Sequence, residues 1–161
     1  MTVKSDRGLS LEEEIVHVLA HNLKIPDSDF LVFTDASVRE ETVGVGWVIT
    51  RNNGRIVCYG RRTFKGDYTS NQAEVLAVKC AYDQLDSMDW SDCDVKIYMD
   101  NSSVVEAFER ETRLWDFEPG KEVLQELSED AVEWISRNYN RAADALSESA
   151  RLSMNYSYQA D

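Results

Sequence analysis

Residues 43–64 read VGVGWVITRNNGRIVCYGRRTF, two strand-like runs joined across Arg51, Asn52, Asn53 and Gly54. β-Branched and aromatic residues dominate both runs, and Asn53 and Gly54 tolerate the positive φ that a tight hairpin turn requires. The stretch is therefore an antiparallel hairpin, and its flanks decide the fold. Upstream, FLVFTD (30–35) is a short apolar run ending in Asp35, as expected of a strand buried on both faces. Downstream, Ala73, Ala77, Cys80, Ala81 and Leu85 recur at helical spacing, which predicts a helix over about Asn71–Ser87. DVKIYMD (94–100) is another strand, ending in Asp100, and Ser102–Arg110 is a short helix. WDFEPG (115–120) breaks the pattern before a helix from about Lys121 to Asp130; VEWISR (132–137) is the last strand and RAADALSESARL (141–152) the last helix. This order predicts an α/β domain built on a mixed five-stranded sheet. The hairpin forms a meander at one side, parallel strands lie at the other, and helices cover both faces.

Ahead of this domain, residues 1–29 form an N-terminal extension whose first nine residues are expected to be disordered. In SLEEEIVHVLAHNL (10–23), Ser10 and Glu13 have capping-box spacing, and Leu11, Ile15, Val18, Leu19 and Leu23 share one side. The extension therefore holds an amphipathic helix over 11–23, stopped near Pro26, with KIPDSD (24–29) as a hinge and 30–161 as the main domain. Docking of this helix on its own domain is the expected arrangement.

A chain of 161 residues with 43% hydrophobic content suits one domain with a real core. No run of eighteen apolar residues and no apolar signal core is found, so a soluble, cytoplasmic protein with no membrane partner is expected. Cys58, Cys80 and Cys93 form no CxxC pair and read as reduced core thiols. His17 and His21 lie four apart on the N-terminal helix, but two ligands without a third read as a solvated face. The net charge of −13 argues against a general nucleic-acid binder, since an acidic surface repels phosphate. Arg51, Arg55, Arg61, Arg62 and Lys65 nevertheless form a local basic strip, with neighbours such as Arg61 and Arg62 sent to opposite faces by strand alternation. Thirty acids against seventeen bases also suits work in concentrated salt, where self-repulsion is screened.

Asp35 and Asp100 each end a predicted strand, and adjacent strands would bring both carboxylates to one edge. Glu74, read as lying in the first turn of the intervening helix, borders its apolar side above Ala77 and Val78. A first-turn glutamate can simply meet the positive end of the helix dipole, Asp35 can open a turn, and Asp100 can precede a helix cap at Ser102. Three acids at one edge would repel one another unless a divalent cation neutralised them, and an all-oxygen set suits magnesium or manganese. Asp144 is different: with Ser147, Glu148 and Arg151 beside it, its helix face reads as ordinary solvated surface.

FTDAS with the following GVGWVI, then TSNQAEVLA, MDNSSVV and NRAADALSESA, resemble the four acidic motifs of ribonuclease H, type 1, in order over residues 30–152. The resemblance implies the fold of that family and makes Asp35, Glu74, Asp100 and Asp144 the catalytic, metal-binding carboxylates. It implies two magnesium or manganese ions, with Asp35 bridging both. Asp144 would help hold the ion that activates water, and Glu74 and Asp100 the ion that stabilises the leaving 3′ oxygen. Ser70, Asn71 and Gln72 would contact the RNA strand of an RNA/DNA hybrid, the implied partner, through 2′-hydroxyls. The implied activity is endonucleolytic hydrolysis of that RNA strand to 5′-phosphate and 3′-hydroxyl products by a monomer. Ala36 and Asn101 replace the family's usual glycine and serine, and SRNYNRAAD (136–144) lacks the histidine many members carry, which resembles the compact, histidine-less branch. The rivals are a DNA-directed nuclease of the same fold and an inactive hybrid-binding or protein-interaction module.

Overall fold

The computed structural model describes residues 3–21, 28–90, 93–110, 117–127, 131–152 and 156–159. Its elements are α1 (Leu11–His21), β1 (Phe30–Arg39), β2 (Thr42–Arg51), β3 (Ile56–Lys65), α2 (Ser70–Ser87), β4 (Val95–Met99), α3 (Ser102–Arg110), α4 (Glu118–Glu126), β5 (Val132–Trp134), α5 (Arg141–Leu152) and β6 (Tyr156–Gln159), with a 3-10 turn at Arg137–Tyr139. The five expected strands are present in one mixed sheet, ordered β5-β4-β1-β2-β3-β6, but the strand expected over 132–137 stops at Trp134, because Ser136 caps a 3-10 turn at Arg137–Tyr139. The β1–β2–β3 meander is antiparallel, while β1, β4 and β5 run parallel. The sixth strand, β6, was not anticipated; it pairs antiparallel with Cys58–Arg61 at the outer edge of β3.

Two apolar clusters sandwich the sheet. One joins Val32, Val45, Ile49 and Ile97 to α2, α3 and α4; the other joins Leu31, Phe33, Val48 and Tyr98 to α1 and α5. Strand alternation explains the division, because residues two apart share a face.

The hairpin over 43–64 forms as expected, though only Gly54 takes positive φ, at 91°; the Asn53 side chain instead accepts a hydrogen bond from the Arg55 amide at 3.0 Å. A Cβ on Gly54 would collide with Leu19 of α1, so the hairpin tip sits against the N-terminal helix. That helix keeps its capping box, Ser10 and Glu13 exchanging hydrogen bonds at 3.1 Å, and buries Leu11, Ile15 and Val18. Leu23, Pro26 and the hinge at 24–27 lie outside the described residues; the helix expected from about Lys121 to Asp130 instead spans Glu118–Glu126, starting early because Pro119 suits a first helical turn and ending at an extended Leu127.

Two further expectations need correction. Residues 3–9 are ordered: Lys4 bridges to Ser10, Ser5 is buried, Arg7 pairs with Glu14, and Asp6 reaches Arg141 of the domain, which gives this polar segment partners that composition alone does not reveal. Asp35 does not end its strand. β1 continues to Arg39 and turns at Glu40 and Glu41, both at positive φ (49° and 62°), where two glutamates hide a turn usually marked by asparagine or glycine.

Candidate metal centre

The site is made by a split in the sheet. β4 pairs with β1 only as far as Tyr98 opposite Phe33, and β4 ends at Met99. β1 runs on, so Asp35 stands two residues beyond the last pair, and Asp100 follows the last residue of β4. Asp35 shares the face of Leu31 and Phe33, toward α5. Glu74 belongs to α2 on the opposite face and reaches the same point where the strands part. One carboxylate oxygen from each of Asp35, Glu74 and Asp100 lies within 4.8 Å of the other two.

The helix-dipole account of Glu74 fails, because α2 starts at Ser70 with Thr69 as N-cap, and its first turn holds no acid. Glu74 is the fifth helical residue and only 6% exposed. Its Oε2 is buried without a hydrogen-bond partner. Burial, and next the charge of Asp100, push its pKa up to about 8, against contacts with Asp35 and the Ala36 backbone that pull it down. Asp35, also 6% exposed, is held well above the usual carboxylate range by burial first and then by Glu74, Asp100 and Asp144. Asp100 is raised by burial; the Asn140 hydrogen bond and the Arg137 charge oppose that. An orphaned carboxylate oxygen among mutually repelling acids fits a hard divalent cation, which would supply the missing positive charge.

Asp144 lies in the first turn of α5, half-buried, and its charge raises Asp35 and Glu74. It is brought to the rim of the cluster by Gly44 and Gly46. A Cβ on Gly46 would lie 2.6 Å from the Cβ of Leu146 and 2.7 Å from the Ala143 carbonyl; one on Gly44 would strike the Ser147 carbonyl. Only glycine lets the α5 backbone approach β2 this closely, and Gly46 is the partner of Asp35 in the β1–β2 ladder. The same contact corrects the solvated reading of this helix face: Ser147 is fully buried with its Oγ 3.4 Å from Asp35 Oδ2, and Arg151 donates to Ser37 at 2.8 Å.

Sequence reasoning missed Asn140 and Trp134. Asn140, 1% exposed, donates its side-chain amide to the Thr34 carbonyl (2.8 Å) and to Asp100 Oδ2 (3.2 Å). Trp134, half-exposed on β5, donates its indole N–H to the Asp100 carbonyl at 3.2 Å. The signal for Asn140 was its place just before a helix, a position favouring side chains that bond backbone.

Ser70, Asn71 and Gln72 form the start of α2 beside this cluster. Ser70 is exposed. Asn71 Oδ1 accepts from the Asn101 side chain at 3.0 Å, tying α2 to the residue after Asp100. Gln72 closes a capping box with Thr69, its oxygen accepting from the Thr69 amide at 3.0 Å. His17, half-buried, stacks on Tyr139. Cys58, Cys80 and Cys93 carry free thiols, the first two buried. No helix among the described residues is long and apolar enough to cross a membrane.

Residues 33–150 match the family described as reverse transcriptase-like. The ribonuclease H1 of the halophilic archaeon Halobacterium salinarum superposes with a TM-score of 0.65 at 26% identity, covering 75% of this chain and 96% of that one. LC11-RNase H1, solved in complex with an RNA/DNA hybrid and isolated from compost by a metagenomic approach, gives a TM-score of 0.66 at 23% identity, over 77% of this chain and 99% of that one. The N-terminal RNase H domain of Rv2228c from Mycobacterium tuberculosis gives 0.62 at 19% identity, over 78% and 94%. No curated protein sequence matches this chain.

Proposed function

Since this chain belongs to the reverse transcriptase-like family and its solved neighbours include type 1 ribonucleases H, we propose that it is a metal-dependent endonuclease that hydrolyses the RNA strand of RNA/DNA hybrids. One observation carries this reading: three carboxylates, from β1, α2 and the residue after β4, meet within 4.8 Å on a ribonuclease H fold, with a buried Glu74 oxygen that has no donor. Asp35, Glu74, Asp100 and Asp144 would hold two magnesium or manganese ions. Bound there, such ions act as Lewis acids, lowering the pKa of a water nucleophile and offsetting charge on the leaving 3′ oxygen.

The chain's own groups do the rest. Asp35 and Glu74 must lose the protons that burial favours before they can bind a cation. Asn140 fixes the orientation of Asp100 by holding one of its oxygens against the Thr34 carbonyl. Ser70, Asn71 and Gln72 offer short polar side chains to the 2′-hydroxyls of the RNA strand, the group that separates RNA from DNA. The products are a 5′-phosphate and a 3′-hydroxyl. One chain supplies all four acids, which supports action as a monomer.

The test is a gel assay of the purified protein with magnesium or manganese on RNA/DNA, DNA/DNA, RNA/RNA and single strands. Cutting of the RNA in the hybrid, stopped by a chelator, is the expected result. An intact hybrid overturns the reading, and duplex DNA cut as readily replaces it with a DNA-directed nuclease.

A further inference from the structure

The residues that flank Asn140 are gripped by a part of the chain that lies outside the family match at 33–150. Asp6 pairs with Arg141 Nη1 at 2.5 and 2.6 Å, and Arg141 Nη2 donates to Asn138 Oδ1 at 3.0 Å. Arg7 forks onto the buried Glu14 at 2.6 and 2.9 Å, and its Nη2 also lies 3.4 Å from the Asn138 carbonyl. His17 of α1 stacks on Tyr139 with ring centroids 5.6 Å apart. Residues 138, 139 and 141 are thus each held by the N-terminal segment, and residue 140 between them is the one that holds Asp100. The Asn140 carbonyl also accepts the amide of Asp144 at 3.1 Å, so the same residue sets where α5 begins and where Asp144 emerges.

We propose that residues 6–17 form a clamp that positions Asn140, and through it Asp100 and Asp144, so that the N-terminal segment is a positioning element of the metal centre. This rests on the reading of the acidic cluster as a cation site. The physical argument is one of preorganisation. Asn140 has one orientation in which its amide satisfies both Thr34 and Asp100, and a short segment between β5 and α5 keeps that orientation only if its neighbours are fixed. A hydrogen bond from Arg7, itself braced by Glu14, an ion pair from Asp6 and a ring stack from His17 supply that restraint from outside the sheet.

The experiment compares wild type with Asp6→Asn/Arg7→Gln/Glu14→Gln, which removes the Arg7–Glu14 pair together and takes the carboxylate away from Arg141, and with the milder His17→Ala. Val16→Ser, on the exposed side of α1, is the control. Two quantities are read: Mn2+ affinity by calorimetry, and hydrogen exchange of the Asp144 amide. Loss of a partner that orients a metal ligand weakens metal binding about 10-fold, which is expected for the triple variant, with about threefold for His17→Ala. Asp144 exchange should accelerate in both; in an Asn140→Ala background, which loses the side-chain link to Asp100 but keeps the carbonyl that holds Asp144, the clamp changes should lower Mn2+ affinity by less while still accelerating Asp144 exchange. Unchanged Mn2+ affinity and Asp144 exchange alongside a lowered Tm would overturn the proposal, leaving the segment a stabiliser only; if the triple variant does not fold, His17→Ala decides alone. Wild type that binds Mn2+ yet leaves hybrid intact defeats the nuclease reading, and the affinity comparison still decides the clamp. Wild type that binds no Mn2+ defeats the metal reading, and amide exchange, which needs no ion, decides the clamp.

Discussion

Gly46 lies directly beneath Leu146, so close that a methyl group on Gly46 would sit 2.6 Å from the Leu146 Cβ. That approach fixes how far α5 stands from the sheet. Gly46→Ala should force the helix outward, at a cost of about 1–3 kcal/mol for overpacking. Because the helix carries Asp144, cleavage should fall at least about 10-fold at temperatures where the variant is fully folded, the size of loss expected when a metal site's support is disturbed. Wild-type turnover in a folded Gly46→Ala protein would mean that Asp144 does not need its present position.

Asp100→Asn keeps the side chain's size and removes one charge from the cluster. Cleavage should be abolished while hybrid binding persists. Without metal, relief of repulsion from Asp144 and Glu74 should raise the Tm. Activity within tenfold of wild type would place the metal site elsewhere.

In chelator, stability should fall as pH rises. Asp35, Asp100 and Glu74, the last at about 8, all have folded-state pKa values above the ordinary carboxylate range. These three groups therefore hold more protons in the folded chain than in the unfolded one above about pH 4.3. Their favourable contribution is complete below that value and is lost as pH climbs through about 8, a change on the order of a few kcal/mol. Saturating magnesium or manganese should remove the decline. Melting curves at three pH values, with and without metal, read this directly; a Tm independent of pH in chelator contradicts it.

The β1–β2 turn is a site of strain, with Glu40 and Glu41 both in left-handed backbone. Glu40→Asn/Glu41→Gly matches the turn's needs and removes two charges from an acidic surface. A gain of about 1 kcal/mol is expected, since the left-handed conformation costs most residues roughly 1–2 kcal/mol. Chemical denaturation measures it, and an unchanged midpoint would show that the glutamates are not strained there.

Salt should stabilise the fold. With a net charge of −13, screening relieves self-repulsion, so the Tm should rise between low and molar potassium chloride. Hybrid affinity should show a shallow salt slope, because each neutralised phosphate contributes about −0.9 to the log–log slope and few basic groups are available. Arg51 already lies over the Phe30 and Trp90 rings, and Arg62 over Phe64. A flat or falling Tm defeats the adaptation idea, and a steep slope means that the strip engages many phosphates.

The strands, the hairpin and α5 were legible because apolar periodicity is local: RAADALSESARL bounds α5 residue for residue. Asp35, Glu74 and Asp100 were legible as a group because two of them follow apolar runs and the third interrupts one. Three things were hidden, each for a reason of context. The length of β1 was masked because Asp35, Ser37 and Arg39 are polar where the strand passes the split. Burial of Ser147 depends on glycines a hundred residues away, which no helical wheel can register. The order in residues 3–9 comes from single ion pairs, Arg7 with Glu14 and Asp6 with Arg141, that leave no periodic trace. β6, Tyr156–Gln159, carries no aliphatic residue to mark it as a strand.

The break between β1 and β4 also bears on how the molecule assembles. The acids arrive from residues 35, 74, 100 and 144, on two strands and two helices from opposite faces of the sheet, so no fragment or half-built intermediate can present them together. Closing contacts over such sequence separations is slow compared with making the local β1–β2–β3 meander. A cation would therefore bind only after the last long-range pairing is made, and it would draw the chain toward completion instead of guiding its early steps. A paramagnetic ion added during refolding would mark the final docking event.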